Sequence, residues 1–210
     1  MNTQQVASKG EATRELILDS AYEIARNDGL EGLSLGLLAK QVGMSKSGVF
    51  AHFGSREELQ LAVLEAGRRR FLDHVLLPAV KLPRGLPRLQ AIVHNWFEWV
   101  HRYQSGCVLL AATSEYDGKN GALHDAVVYQ QAGWRQAMIR AVDYAIANGE
   151  LPAGTDAAQV AFEIHALALA LHQDAGLFGY EDAIRRARRG VERLLGVAPK
   201  KADLIEGARS

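Results

Sequence analysis

The sequence predicts an all-α fold: an N-terminal three-helix helix-turn-helix domain followed by a larger C-terminal helical domain. Three observations lead there. Apolar residues recur at three- and four-residue steps through most of the chain. The breaks between such segments carry Gly, Pro or capping Ser and Asp residues, and nothing reads as a strand, an internal repeat or a low-complexity region. With 210 residues, 48% of them hydrophobic, the chain can bury a sizeable core in one large or two small domains.

The first expected helix is capped by Thr13, carries Leu16, Ile17, Ala21, Ile24 and Ala25 as an apolar stripe, and closes at Asp28-Gly29. Ser34 then caps a short helix over Leu35 to Val42 with Leu38, Ala39 and Val42 inward, and Gly43 supplies the left-handed residue that ends it. A third helix starts at Ser45 and runs to about His52. Gly54 stops it, and Ser55 with Glu58 three residues later matches a capping box that opens a fourth helix to about Leu77. Two short helices joined by the tight Gly43-Met44 turn, under a longer first helix, have the form of a helix-turn-helix.

The run P-A-V-K-L-P-R-G-L-P, with Pro78, Pro83 and Pro87, marks a connection. Beyond it helices are expected over Leu86 to Tyr103, Cys107 to Glu115, Ala122 to Asn148, Asp156 to Phe178 and Glu181 to Leu195. The expected organisation is therefore residues 1–60 as the helix-turn-helix domain, the helix over 55–77 as its connection, 78–198 as the second domain and 199–210 as a flexible tail.

Charge narrows the function. The formal net charge is zero, so the chain as a whole makes no case for a polyanion partner. Between Ser34 and Arg56, however, there is no Asp or Glu, while Lys40, Lys46 and Arg56 are present and His52 can add partial charge. Val49 and Phe53 can anchor the third helix, leaving Lys46, Ser47, Gly48 and His52 for DNA. Small residues at 47 and 48 let the helix N-terminus approach a groove, and its dipole favours phosphates. Lys40 and Gln41 are weaker phosphate candidates.

The stretch S-L-G-L-L-A-K-Q-V-G-M-S-K-S-G-V-F-A-H-F-G-S-R-E-E-L from Ser34 to Leu59 resembles the helix-turn-helix of tetracycline-repressor-type transcriptional regulators. The likeness covers roughly residues 13 to 60. It implies a homodimer that binds double-stranded operator DNA, a repressor released by a small-molecule effector. The DNA-binding residues it indicates are Ser34, Ser45, Lys46, Ser47, Gly48, Phe50, His52 and Arg56. Phe50 departs from the usual tyrosine, whose hydroxyl touches a phosphate, and Ser47-Gly48 departs from the usual Gly-Thr.

In the second domain, Trp96, Trp99, Tyr103, Cys107, Trp134, Met138, His165 and His172 either pack as core or line an effector cavity of the kind the resemblance implies. The helix over Asp156 to Phe178 is apolar around much of its circumference and has to be covered on more than one side. With the resemblance, that assigns Phe162, Leu167, Leu171 and Leu194 to the dimer interface. The basic run Arg185 to Arg189 reads as a solvated face or interface rim.

Other classes find less support. Gly32-Leu33-Ser34-Leu35-Gly36 matches the G-x-S-x-G nucleophile elbow but lacks the strand that motif requires. Glu98-Trp99-Val100-His101 matches one half of a helical di-metal site, with no second copy. His165 and His172 share a helix face without a third ligand. A helical small-molecule-binding protein or a metal-dependent enzyme using Glu98 and His101 is the alternative, and no cofactor or metal is expected. The single cysteine, Cys107, reads as a small buried hydrophobe. With no secretion signal and no apolar run of about 20 residues to span a bilayer, a cytoplasmic protein is expected.

Overall fold

The computed structural model describes residues 9–104 and 106–197, which form nine helices and no strand. They are α1 (Lys9–Asp28), α2 (Leu35–Gln41), α3 (Lys46–Phe53), α4 (Arg56–Ala79), α5 (Leu86–Arg102), α6 (Val108–Tyr116), α7 (Ala122–Ala147), α8 (Ala157–Phe178) and α9 (Tyr180–Leu195). The expected tail over 199–210, and the polar stretch ahead of Lys9, lie outside the described residues.

Local chemistry sets most helix ends where the sequence places them. The Ser34 hydroxyl accepts from the Leu37 amide, Ser45 from Gly48 at 3.1 Å and Ser55 from Glu58 at 3.0 Å. Gly43, at φ 67, turns the chain between α2 and α3 in a conformation that a side chain would strain. One cap differs from expectation. Thr13 does not open α1; its hydroxyl donates to the Lys9 carbonyl at 2.9 Å inside a helix already under way. Leu16 is exposed, and Leu18 and Tyr22 share the buried stripe with Ile17, Ala21, Ile24 and Ala25.

The prolines act at helix ends. Pro78 sits in the last turn of α4, Pro83 in the break, and Pro87 in the first turn of α5, where a missing N–H costs nothing. The Glu150 carboxylate caps α5 from a distant loop, accepting from the Leu86 amide at 2.7 Å.

The chain forms two compact units, and their border is not the one expected at residue 78. Among the described residues, the first unit joins 9–70 to 106–130 and the second joins 71–104 to 131–197. The reason lies in the cores. Val108, Ala112 and Tyr116 of α6, with Leu123 and Val127 of α7, are buried in the same cluster as Ile17, Ala21, Leu38, Val49, Leu59 and Val63. Helices α4 and α7 each contribute to both units. The second unit buries Val75, Leu89, Ile92, Trp96 and Val100 with Met138, Ile164, Leu171, Ile184 and Val191.

Candidate nucleic-acid interface

Val49 and Phe53 are buried in the first unit's core, which fixes the rotation of α3 and leaves Lys46, Ser47, Phe50 and Ala51 exposed, with Gly48 and His52 half-buried. Lys46 lies back across the start of α2: a Cβ built on Gly36 would stand 3.2 Å from Lys46 Cε and 3.5 Å from its Nζ. The amine therefore sits beside the N-terminus of α2, next to that of its own helix. Both helix ends and the amine offer donors and positive potential to a phosphate. Ser34 and Ser45 are committed to capping, and Ser45 also meets the Ser47 hydroxyl at 3.0 Å. Ser34 is a helix cap with no strand ahead of it among the described residues, so the G-x-S-x-G match has no nucleophile elbow.

Arg56 is placed differently from a free phosphate ligand. Its guanidinium donates to the Glu31 carbonyl and lies 3.4 Å from Glu31 Oε2, while Lys119 Nζ reaches Glu31 Oε1 at 3.3 Å. The hydrogen bond from Lys119 holds the Glu31 carboxyl below its ordinary range. The acid-free window ends three residues short of that carboxylate in sequence, but folding brings it to Arg56. A phosphate approaching Arg56 would have to compete with this pair.

In the second unit, Trp96, Trp99, Tyr103, Trp134 and His165 form one ring cluster. Phe71, which sequence reasoning missed, stands at its centre: it meets Trp134 at 4.8 Å, Trp99 at 5.5 Å and Trp96 at 6.0 Å, all edge to face. Trp96 also meets Trp134 at 5.1 Å and His165 at 5.5 Å, Tyr103 stacks on Trp99 at 4.0 Å, and His74 joins at 5.5 Å from Trp99. Phe71 and His74 lie on α4, the helix read as a connection, so no second-domain pattern pointed to them. Met138 is buried in this unit, whereas Cys107, also buried, belongs to the first unit. The indole nitrogens of Trp99 and Trp134 and Nε2 of His172 are buried without a hydrogen-bond partner.

Burial pushes the pKa of His165 down, with Arg135 adding to the effect, and burial lowers that of His172 against a hydrogen bond to the Tyr103 backbone. Both fold in the neutral form, so their contribution to stability is complete above the ordinary histidine value of 6.5 and is lost as the pH falls. The melting temperature is expected to drop between about pH 7.5 and pH 5, and to drop less in a His165→Gln/His172→Gln protein. Equal slopes for the two proteins would contradict this assignment.

Of the residues read as interface, Phe162 is 62% exposed, while Leu167 and Leu194 line an open groove with Glu163, Ala166, Gly190 and Arg193. Leu171 is the exception: at 1% exposure it packs inside its own unit. Glu98 lies 3.8 Å from Arg188, and His101 stacks on Tyr180 at 4.1 Å and meets Gln104 at 3.0 Å. Among the described residues no three His, Cys, Asp or Glu side chains gather as metal ligands, and no helix is long and apolar enough to cross a membrane.

These features agree with known proteins. Residues 17–63 match the family of bacterial regulatory proteins named for tetR, and residues 85–191 match the tetracyclin repressor-like C-terminal domain. The HTH-type transcriptional regulator SrpR of Pseudomonas putida is 26% identical over 153 residues, 73% of this chain and 70% of its own. A tetR-family regulator from Cytophaga hutchinsonii superposes with a TM-score of 0.77 at 21% identity, over 94% of this chain and all of that one. The structure of AibR in complex with isovaleryl coenzyme A and operator DNA superposes at 0.71 with 21% identity, over 89% and 100%. With both its DNA-reading and C-terminal segments matched, the chain belongs to the tetR family of bacterial regulatory proteins and is a DNA-binding transcriptional regulator.

Proposed function

We propose that the protein is a homodimeric, cytoplasmic repressor that holds operator DNA through α3 and releases it when a small effector binds the second unit. One observation carries the DNA half: Val49 and Phe53 anchor α3 so that Lys46, Ser47 and Phe50 are exposed, in a segment that carries no carboxylate from Ser34 to Arg56. The helix-turn-helix, residues 1–60, does the reading; residues 78–198 carry dimerisation and effector binding. His52 supports phosphate binding beside Lys46, and Arg56 acts there only when it leaves Glu31. AibR, of similar fold, binds isovaleryl coenzyme A and operator DNA. The effector half is supported by the ring cluster with its unpartnered Trp99, Trp134 and His172 nitrogens. An effector that binds the DNA-incompetent state more tightly shifts the equilibrium by that difference alone.

A salt titration of binding to DNA from upstream of the protein's own gene, against an unrelated fragment of equal length, tests the reading. Selective binding with a steep salt slope is expected. Lys46→Ala should flatten the log-log slope by about one unit for each phosphate that the lysine neutralises. An unchanged slope would remove Lys46 from the interface, and equal weak binding to both fragments would sink the operator reading.

A further inference from the structure

The exposed face of α3 is not uniformly polar. Phe50 is 44% exposed, and with Leu35 and Ala51 it lines an apolar groove bordered by Lys46 and Ser47. A phenyl ring left 44% exposed beside a lysine is not explained by packing alone. It is not explained by phosphate binding either, since it has no donor. The surroundings fit one occupant. The groove lies in the acid-free segment, next to the N-terminus of α3 and the Lys46 amine, so a polyanion approaches it favourably. The apolar group that a DNA major groove presents is the C5 methyl of thymine, which side chains such as Phe and Ala read by touching it.

We propose that Phe50, with Leu35 and Ala51, is a base-reading element that seats thymine methyl groups, so that the operator carries a required thymine in each half-site opposite α3. The proposal rests on the reading of α3 as the helix that enters the major groove. It makes Phe50 a source of sequence preference through apolar packing, with Lys46 and the helix N-termini holding the adjacent backbone. Lys46 and Phe50 then have separable signatures: one sets salt dependence, the other methyl dependence.

The test uses the full-length protein and duplexes that it selects from a randomised pool, with binding followed by fluorescence anisotropy. Each thymine of a selected duplex is replaced in turn by uracil, which keeps base pairing and hydrogen-bonding groups but lacks the methyl. We expect one position per half-site at which uracil weakens binding about four-fold, the value of one buried methyl, with the salt slope unchanged. Phe50→Ala should bind parent and uracil duplexes equally. A flat uracil scan with otherwise tight, selective binding overturns the proposal and leaves the regulator reading standing, and so does a uracil effect undiminished in Phe50→Ala. A pool that never enriches, with equal binding to all duplexes, sinks the sequence-specific reading itself and the proposal with it. The scan on the unaltered protein needs no variant to fold.

Discussion

If the protein is the proposed homodimer, Phe162→Arg is expected to turn it into a folded monomer and to lower operator affinity by about a hundred-fold or more, because two reading heads on one duplex gain on the order of 10²- to 10⁴-fold over one. The surface of α8 explains the choice. Every exposed residue on it is uncharged, among them Phe162, Ala166, Leu169, Ala170, Gln173 and Leu177. The exposed residues of α9 are all charged: Glu181, Arg185, Arg186, Arg189 and Arg193. Asp182 pairs with Arg185 and Arg186, so the basic run is a solvated face. A helix that shows an apolar stripe beside a charged neighbour calls for a partner surface, and a twofold axis would bring two introduced guanidinium groups to the same interface. Phe162 suits the test better than Leu167, which packs on α9 so closely that a Cβ at Gly190 would stand 2.7 Å from it. Light scattering should report a monomer with a melting temperature near that of the parent. A dimer that still binds operator at parental strength would place the interface elsewhere.

Much of this was legible because helix boundaries here depend on near neighbours. Ser34, Ser45 and Ser55 each cap the amide three positions on, and Gly43 and Gly54 end helices by their own backbone conformation, so sequence spacing was enough. The same holds for Val49 and Phe53, whose four-residue step fixes the buried face of α3. What sequence missed depends on partners far along the chain. Arg56 looked free until folding set Glu31 against it. Phe71 looked like a connecting-helix residue until three tryptophans closed around it, and Leu171 like its exposed neighbours until its own unit buried it. The border between the compact units falls elsewhere for a related reason. Prolines interrupt the helices after α4, but which core α6 joins is decided by Val108, Ala112 and Tyr116 meeting α1, a choice that punctuation does not record.

Glu115→Ala is expected to destabilise the first unit by about 1–3 kcal/mol, the cost of leaving a buried amide without its acceptor. Glu115 on α6 accepts from the Leu30 amide at 2.9 Å, and the Leu30 carbonyl accepts from Gln60 of α4 at 2.7 Å. The two successive peptide groups that flank Leu30, just past the end of α1, are thus each held by a side chain, with Leu30 itself fully buried. The neighbouring Glu31 repeats the pattern through Lys119 and Arg56. The loop leading into α2 is therefore positioned by α4 and α6 together, and α2 in turn supports the N-terminus of α3 that carries Lys46. Removing the acceptor should lower the unit's melting temperature and weaken operator binding in the same variant, because the loop that sets α2 is freed. Glu115→Gln, whose side-chain carbonyl can still accept from Leu30, should recover most of both. A double-mutant cycle with Gln60→Leu is expected to be non-additive, since both groups hold the same residue, Leu30. Additive losses, or an alanine variant as stable as the parent, would show that the loop is held by its apolar packing alone.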